Sequence, residues 1–335
     1  MAMKTTPTKT VKKGPRVLIT GGFGYLGARL ALDLEKAGYQ PILLTRDTDG
    51  LTGDAVVAFA KRFPIVLADI TDRAALDAAF TRLVKGGPID AVLHLAALNE
   101  NICAKNPRLA FDVNAWGARN TIDASAKSGV RRFLYFSTFH VYGAVTDTVT
   151  ESTVPVPLHP YGSSHLLGEL LCREAARASG IELAIVRPTN GIGVPAFEAV
   201  DRWTLLALDL CRQAHEHGQL RLVSAGYQLR DFVSISDIAQ AVRILLRSPA
   251  SSLVDPVFNV GSGSCVRVRD VAKMVQLGYE KLYHKTLPIT MPAGKDDGVR
   301  FTVSMRKIGD LGYTTKTDLE KELLETLRFC EVFRT

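Results

Sequence analysis

The most constraining feature of the sequence is an apolar run near the N-terminus that ends in a cluster of glycines. Residues 17–20 read Val-Leu-Ile-Thr, residues 21–27 read Gly-Gly-Phe-Gly-Tyr-Leu-Gly, and apolar residues at helical spacing follow. Strand, tight turn and helix in this order are typical of a phosphate-binding turn, because the helix N-terminus presents free N–H groups and the positive end of its dipole. The stretch therefore predicts a dinucleotide site, although a glycine cluster also suits a turn without a ligand.

Two glycine patterns fit this turn. Gly22, Gly24 and Gly27 match GxGxxG, and Gly21, Gly24 and Gly27 match GxxGxxG. We expect Gly21 to allow the sharp turn and Gly24 to let a pyrophosphate approach the main chain. Gly27 is expected to let the helix pack closely against the strand. The pattern that the turn uses is left open by the sequence.

Short apolar strands alternate with amphipathic helices over the first half of the chain. This alternation predicts an α/β fold with a parallel, doubly wound sheet. After about residue 191 the alternation stops, and turn-rich segments surround scattered helices, which indicates a smaller C-terminal lobe. We expect a flexible basic tail at 1–14, a dinucleotide-binding domain at 15–190, and a mainly substrate-binding lobe at 191–335. Segments near 231–260 are expected to return to the first domain.

The formal charge of +7 is concentrated in the N-terminal tail. Five cations stand there without an acid, and without them the body is near +2: Lys4, Lys9, Lys12, Lys13 and Arg16. A nucleic-acid binder clusters basic residues on its folded surface, so the sequence argues against that class. The tail lacks the apolar segment of a signal peptide, and no apolar run reaches membrane-spanning length. A transit peptide stays open, but the tail shows no amphipathic stripe.

The cysteines are scattered without the spacing of a metal site. There are five of them: Cys103, Cys172, Cys211, Cys265 and Cys330. Buried thiols in a reducing compartment are the simplest interpretation. We therefore expect a cytoplasmic protein that binds no metal and no membrane.

The ends of the second and third predicted strands favour a particular cofactor. Thr45 and Arg46 stand where an acid would bind the ribose 2′-hydroxyl of NAD. A hydroxyl and a guanidinium suit a 2′-phosphate instead, because arginine pairs with it in two places. The sequence thus favours NADP, with NAD as the alternative if Asp47 turns inward. Asp69 and Ile70, at the next strand end, are expected to flank the adenine.

The chain resembles the extended short-chain dehydrogenase/reductases, specifically the NAD-dependent epimerases and dehydratases that act on nucleotide sugars. The resemblance covers about residues 15–330, and its motifs stand in the family's order. They are residues 21–27; Asp69-Ile70; His94-Leu95-Ala96-Ala97; Asn114 with Gly117; Ser137-Thr138-Phe139-His140-Val141-Tyr142-Gly143; Tyr161; Arg187-Pro188-Thr189-Asn190; Arg230-Asp231-Phe232-Val233; and Phe258-Asn259-Val260-Gly261. The resemblance implies a Rossmann sheet with a small C-terminal substrate lobe.

Two hydroxyl groups are candidates for the chemistry. Hydride transfer to or from a sugar carbon requires a proton to move on the attached oxygen. Tyr161 opens a predicted helix behind Pro160, and Thr138 ends the fifth predicted strand. The resemblance implies that Tyr161 is the acid/base and that Thr138 hydrogen-bonds the same oxygen. A packed aromatic and a strand-end hydroxyl are the structural alternatives.

One position departs from the family, which has Tyr-x-x-x-Lys where this chain has Tyr161 and then His165. In the family the lysine binds the nicotinamide ribose and lowers the tyrosine pKa. A spacing of four places His165 one helical turn from Tyr161, but a histidine with a pKa of about 6.5 is mostly neutral at pH 7. We expect cofactor binding to survive and turnover to be modest. Protonation of His165 at lower pH is expected to restore part of the charge.

The resemblance also implies the remaining contacts. The cofactor set is Gly21, Gly24, Tyr25, Leu26, Gly27, Thr45, Arg46, Asp69, Ile70, Leu95, Ala96, Ala97, Asn114, Tyr161, His165 and Pro188. The substrate set is Asn99, Thr138, Asn190, Arg230 and Arg300, in which the two arginines would grip a diphosphate. The helices near 107–127 and 161–179 are the faces that the family uses for dimers, so a homodimer is expected.

Three functions stay open. The favoured one is an NADP-dependent keto-sugar reductase acting on a nucleotide-linked sugar. The alternative within enzymes is an NAD-dependent 4-epimerase or dehydratase, although Phe139 and His140 stand where a dehydratase would place an acid after Thr138. The alternative of another class is a cofactor-binding or regulatory protein with impaired catalysis, which His165 supports.

Overall fold

The computed structural model describes residues 14–48, 52–200, 202–296 and 298–333. The predicted basic tail lies outside the described residues, apart from Gly14. The strands, in chain order, are β1 (Arg16–Thr20), β2 (Gln40–Thr45), β3 (Ile65–Leu67), β4 (Ala91–His94), β5 (Arg132–Phe136), β6 (Asp147–Val149), β7 (Glu182–Pro188), β8 (Asn190–Ile192), β9 (Leu220–Arg221), β10 (Leu229–Ser234), β11 (Val257–Val260), β12 (Cys265–Arg267), β13 (Ile289–Thr290) and β14 (Phe301–Val303).

Helices connect most of these strands. They are α1 (Tyr25–Lys36), α2 (Asp54–Ala60), α3 (Arg73–Lys85), α4 (Glu100–Lys105), α5 (Pro107–Ala110), α6 (Gly117–Lys127), α7 (Pro160–Ser179), α8 (Leu206–Glu216), α9 (Ile235–Arg247), α10 (Val268–Tyr283), α11 (Arg306–Gly309) and α12 (Leu319–Phe329). No described helix combines the length and the apolar composition that a membrane crossing requires.

The central sheet has seven strands in the order β11-β7-β5-β4-β1-β2-β3, and every neighbouring pair is parallel. The predicted doubly wound α/β fold is confirmed. Helices cover both faces of the sheet, which is why its strands are apolar without alternation; all five residues of β5 are buried. The strand order reverses between β1 and β4. Ligands bind in such sheets beyond the carboxyl ends of the strands at this reversal.

Two cores lie on opposite faces of this sheet. Val17 and Ile19 of β1 pack with α1 and α9, whereas Leu18 packs with α3, α6 and α7. Successive residues of a strand point to opposite faces, so one short strand contributes to both cores. The sheet is thereby held rigid at the edge where the site residues stand.

The helix predicted over 107–127 is continuous but irregular. It consists of α5, a π-helical segment (Phe111–Trp116) and α6. The helix predicted over 161–179 begins one residue earlier, at Pro160, because proline suits the first helical position and His159 caps the turn. It ends at Gly180, which adopts a left-handed φ of 77°.

The C-terminal segment forms a third core with α8, α10 and α12. Its strands β8, β10 and β12 form a small sheet of their own, which the sequence analysis did not predict. These strands span three to six residues, too few for a periodic signal. Within 231–260, α9 packs on α1 and β11 joins the central sheet, whereas β10 belongs to the small sheet. The boundary between the two predicted domains stays a prediction.

Candidate active site

The glycine turn between β1 and α1 uses the GxxGxxG pattern. Gly21 has a φ of 67°, which only glycine adopts without strain, and a Cβ there would lie 2.9 Å from the backbone nitrogen of Ala96. A Cβ on Gly27 would collide with the carbonyl oxygen of Gly21. A Cβ on Gly22, whose φ is not positive, would meet the side chain of Leu43, which can move, rather than backbone. The first and third positions of the pattern are therefore Gly21 and Gly27.

A buried hydroxyl ties the ends of β1 and β4 together. The Thr20 Oγ1 accepts hydrogen bonds from the backbone N–H groups of Leu95, at 3.2 Å, and Ala96, at 3.1 Å. The hydroxyl proton is then left for the His94 Nδ1, at 3.0 Å. Burial lowers the pKa of His94 to about 3, so this histidine is neutral. The sequence analysis did not predict these hydrogen bonds of Thr20, because Thr20 and His94 are 74 residues apart.

A cavity of about 390 Å³ runs from the glycine turn to the start of α7. Most of the predicted site residues line it: Gly21, Gly24, Tyr25, Leu26, Gly27, Leu95, Ala96, Ala97, Asn99, Thr138, Tyr161, His165, Pro188 and Asn190. The fold thus brings together groups that six separate strand ends and helix starts supply. Two further charged residues line the same cavity, Glu100 and Arg202.

Tyr161 and His165 lie against each other in the wall of this cavity, with ring centroids 4.6 Å apart. Burial raises the pKa of Tyr161 to about 12; the charge of Glu100 adds to the rise, whereas Arg202 and Thr138 oppose it. Burial likewise lowers the pKa of His165 to about 3. The gain of charge predicted for His165 at lower pH therefore requires strongly acidic conditions, because burial keeps this ring neutral in the folded protein.

His165 has one partnered and one unpartnered nitrogen. Its Nδ1 lies 3.2 Å from the hydroxyl of Tyr135, which is itself buried. Its Nε2 is buried and has no hydrogen-bond partner among the described residues. A buried polar atom without a partner is costly, and here it borders a cavity. The Nε2 therefore fits a ligand such as a ribose hydroxyl, and together with the glycine turn it makes the cavity suitable for a nicotinamide dinucleotide.

Asn114, a predicted cofactor residue, supports the cavity from behind. Its Oδ1 accepts from the backbone N–H of Leu98 at 2.7 Å, and its Nδ2 donates to the Ser164 hydroxyl at 3.0 Å. Ser164 in turn donates to the carbonyl of Tyr161 at 3.0 Å. The side chain of Asn114 thus connects the loop after β4 to the first turn of α7. It lies in the π-helical segment, where the backbone departs from regular α-helix.

The strand-end residues that favoured NADP lie outside the cavity lining. Arg46 is largely exposed and its Nε lies 2.7 Å from a carboxylate oxygen of Asp47. Thr45 donates its hydroxyl to the carbonyl of Asp47, and Asp69 accepts from Thr71. Ile70 packs beneath the helix at Gly117. Asp47 competes with any phosphate for the guanidinium of Arg46.

A second cavity of about 460 Å³ adjoins the first and shares His140, Pro188, Thr189 and Asn190 with it. Arg230 lines this cavity, where burial lowers the pKa of its guanidinium and its Nη1 donates to the Leu229 carbonyl at 2.9 Å. The other arginine predicted to bind the substrate, Arg300, is not part of this lining.

Arg300 is about half exposed and forms an ion pair with Asp296, with an N–O distance of 2.8 Å. Its neighbours Val299 and Phe301 line the second cavity. Arg230 therefore lies in the wall of the second cavity, whereas Arg300 lies at the rim of that cavity and pairs with a carboxylate of its own loop.

Two neighbouring histidines, His159 and His140, determine which nitrogen carries a proton at the junction of the cavities. The backbone N–H of Gly162 donates to the His159 Nδ1 at 3.2 Å, so the proton of neutral His159 is on Nε2. That Nε2 lies 3.4 Å from the His140 Nδ1, which must then accept. Neutral His140 therefore carries its proton on Nε2. Burial lowers the pKa of His140, which favours this neutral form.

No cluster of three histidine, cysteine or carboxylate side chains able to hold a metal occurs in the described part of the chain. The fold and the site define a dinucleotide-binding enzyme of the Rossmann type, in which a tyrosine, a threonine and a histidine line the cavity near the start of α7.

The chain belongs to the NAD-dependent epimerase/dehydratase family, whose model matches residues 17–261. It is 28% identical over 287 residues to a UDP-glucose 4-epimerase of Azospirillum brasilense, covering 80% of this chain and 79% of that protein. The fold is similar to the crystal structure of Thermus thermophilus UDP-glucose 4-epimerase in complex with NAD, with a TM-score of 0.79, 23% identity, and 94% and 98% of the chains covered. The Thermotoga maritima UDP-glucose 4-epimerase with UDP-glucose gives a TM-score of 0.77 at 22% identity over the same shares.

Proposed function

We propose that this protein is an NAD-dependent 4-epimerase of a nucleotide-linked sugar. The observation that carries the proposal is the junction of the two cavities. The first holds the glycine turn and the Thr138, Tyr161 and His165 side chains, and the second holds Arg230. A dinucleotide in the first cavity and a nucleotide sugar in the second would meet at Tyr161.

The relatives support this function over the keto-sugar reductase that the sequence favoured. The curated relative and both solved structures described above are named UDP-glucose 4-epimerases. Phe139 supports the same choice against dehydration, because its ring stacks on Phe301 at 5.8 Å and offers no proton after Thr138.

Each residue has a distinct part in this proposal. A nicotinamide dinucleotide held by the glycine turn and His165 would supply hydride transfer at the sugar carbon. Tyr161 moves the proton of the attached hydroxyl, and Thr138 hydrogen-bonds the same oxygen. The Nε2 of His165 binds the ribose of the cofactor.

The substrate side of the proposal rests on the second cavity. Asn99 and Asn190 border the sugar, while Arg230 holds the diphosphate and Arg300 joins it from the rim. Asn190 is oriented by its own Nδ2, which donates to the Asp231 carbonyl at 2.8 Å. Thr45, Arg46, Asp69 and Ile70 lie on the adenosine side of the cofactor.

A second candidate function is the NADP-dependent reductase. It is favoured by the exposed guanidinium of Arg46 and by the raised pKa of Tyr161, since a protonated phenol suits donation to a ketone. If Arg46 binds a 2′-phosphate, NADPH binds at least about tenfold more tightly than NADH, which is about 1.4 kcal/mol. Titration calorimetry with both cofactors distinguishes the two functions, because equal affinities or tighter NADH exclude the phosphate contact.

The direct test is incubation of the purified protein with UDP-glucose, followed by separation of UDP-glucose from UDP-galactose. The expected result is interconversion without net use of cofactor, and release of NAD when the protein is denatured. Consumption of NADPH with a keto-sugar nucleotide, without interconversion, contradicts the epimerase and supports the reductase. Tight cofactor binding without turnover of any nucleotide sugar supports the non-catalytic alternative.

The substrate cavity is tested by Arg230→Ala with Arg300→Ala as the matched variant. We expect Arg230→Ala to weaken nucleotide-sugar binding by about 2–3 kcal/mol and to leave cofactor binding unchanged, because a charge-assisted contact is lost. Arg300→Ala has a smaller effect in calorimetry, since its guanidinium already pairs with Asp296. If neither substitution changes nucleotide-sugar affinity, the second cavity does not bind the diphosphate.

We further propose a homodimer in which the helical segment 107–127 and α7 face their counterparts. Leu109, Trp116 and Leu170 are exposed along these helices, and Trp116 is half exposed despite its size. Trp116→Glu is expected to convert a dimer to a monomer in light scattering. A wild-type protein that is already monomeric contradicts this arrangement.

A further inference from the structure

We propose that Arg202 is a positioning residue for the acid/base tyrosine: its guanidinium supplies the positive charge beside the Tyr161 hydroxyl that no residue of α7 supplies. Arg202 precedes α8 in the C-terminal half of the chain, 41 residues after Tyr161. The inference rests on the proposed acid/base role of Tyr161.

The need for a cation follows from the burial of Tyr161. Removal of a phenol from water disfavours its charged form, so proton exchange near neutral pH requires a compensating positive charge. His165 is the group nearest to the tyrosine ring along the helix, but it is buried and neutral. Two more histidine rings lie near Tyr161, those of His140 and His159. The His159 Nδ1 accepts from the backbone N–H of Gly162, its Nε2 lies 3.4 Å from the His140 Nδ1, and burial lowers the pKa of His140.

Arg202 is the only lysine or arginine among the described residues that line the first cavity. It is held there by an ion pair in which its Nη1 lies 3.0 Å from the Oε2 of Glu100. Glu100 is the first residue of α4, whose turn is capped by Asn99, so the carboxylate is itself fixed. The charge of the guanidinium, which lines the same cavity as Tyr161, lowers the pKa of the tyrosine.

The neighbours of Tyr161 therefore exert opposite effects. Glu100 raises the pKa of the tyrosine, whereas Arg202 and the Thr138 hydroxyl lower it. The alternative is that Arg202 and Glu100 form only a structural link between the segment before α8 and α4. These two interpretations differ in what happens when each partner is removed separately.

The test uses the variants Arg202→Gln, Glu100→Gln and Arg202→Lys in protein labelled with 3-fluorotyrosine, which lowers the intrinsic phenol pKa into a measurable range. The resonance of Tyr161 is assigned by its loss in Tyr161→Phe, and its titration is followed by fluorine NMR with NAD bound. We expect the apparent pKa of Tyr161 to rise by about one unit or more in Arg202→Gln and to fall in Glu100→Gln. Arg202→Lys should stay closer to the wild-type value than Arg202→Gln.

A structural link predicts otherwise. Both Gln variants break the same ion pair, so they would lose stability together and leave the titration of Tyr161 unchanged, or shift it in the same direction. Either result overturns the proposal. Arg108→Gln is the matched control, because Arg108 is exposed and pairs with Asp112 one turn along the helix. The titration requires no turnover, so its outcome is separate from a failure of the epimerase assignment.

The pH dependence of turnover gives the second measurement. The limb of the pH–rate profile that reports deprotonation of Tyr161 is expected to move to higher pH in Arg202→Gln and to lower pH in Glu100→Gln. An equal loss of activity at all pH values in both variants indicates a structural link alone.

Discussion

The helix α7 carries two buried polar groups on one face, and they differ in the partners that their helix side chains have. Near its start, Tyr161 and His165 border a cavity, and the Nε2 of His165 has no partner among the described residues. One turn further on, Glu169 forms a buried ion pair with Arg187, with oxygens at 2.8 Å from its Nε and 2.5 Å from its Nη2. We call the first the open group, because the unpartnered nitrogen of His165 borders the first cavity, and the second the closed group, because both carboxylate oxygens of Glu169 are bonded within the protein.

The carboxylate of the closed group is fully engaged, whereas the Nη1 of Arg187 is buried without a hydrogen-bond partner among the described residues. Ser137 donates its hydroxyl to Glu169, and the guanidinium of Arg187 lies 4.7 Å from the ring centroid of Tyr142. A buried ion pair contributes little net stability, but the loss of one partner leaves an uncompensated charge. The comparison indicates that burial alone does not identify a reactive group.

The largest effect is expected at the open group. Tyr161→Phe removes the proposed acid/base and is expected to lower turnover by up to about 10⁴-fold, the upper range for general acid–base catalysis. Steady-state assays measure the loss, and calorimetry should show that NAD still binds. Turnover near the wild-type rate in this variant contradicts the role of Tyr161.

The next effect is expected at the closed group. Glu169→Gln is expected to reduce the free energy of unfolding by about 3–5 kcal/mol, because Arg187 stays buried without a counter-charge. Urea denaturation measures the change. The matched control is Glu174→Gln on the same helix, where the ion pair with Arg119 is exposed and is worth at most about 1 kcal/mol. Similar losses in both variants contradict the distinction between the two regions.

The pH dependence of stability sharpens the comparison. The folded protein keeps His165 neutral to a pKa of about 3, whereas the unfolded chain protonates it at about 6.5. The contribution of the neutral His165 ring to the free energy of unfolding is therefore complete above pH 6.5. It is lost as the pH falls, at about 1.4 kcal/mol per pH unit. His165→Gln should remove this slope between pH 6.5 and 5 in denaturation experiments. His94→Gln should remove a slope of the same sign, and no change in either variant contradicts a neutral, buried ring.

The smallest effect concerns the cofactor. His165→Gln is expected to weaken NAD binding by about 0.5–1.5 kcal/mol, the value of a single hydrogen bond. Calorimetry measures it, with Ser163→Ala on the same helical turn as the control. His165→Lys is expected to bind NAD at least as well and to gain turnover, most in the direction that removes a proton from an alcohol. If His165→Gln leaves NAD affinity unchanged, the Nε2 does not contact the cofactor.

The sequence predicted the parallel sheet, the glycine turn and the grouping of Thr138, Tyr161 and His165. These predictions depend on patterns that are local in the chain: apolar strands of four to six residues, the glycines that a sharp turn requires, and a spacing of four on a helix. The sequence did not distinguish between the two glycine patterns. It also did not predict how the short strands of the C-terminal half pair. The positive φ of Gly21 and the pairing of β8, β10 and β12 required coordinates.

By itself, then, the sequence determined the fold class, because strands, helices and the glycine turn are patterns of neighbouring residues, and its resemblance to a family named Thr138, Tyr161 and His165 as candidates for the chemistry. Only the tertiary structure decided their charge states. The pKa of His165 depends on its burial against Tyr135, and that of Tyr161 on Glu100 and Arg202. These partners come from distant parts of the chain, and the electrostatic free energy depends on distance in space and on exclusion of water rather than on separation in sequence.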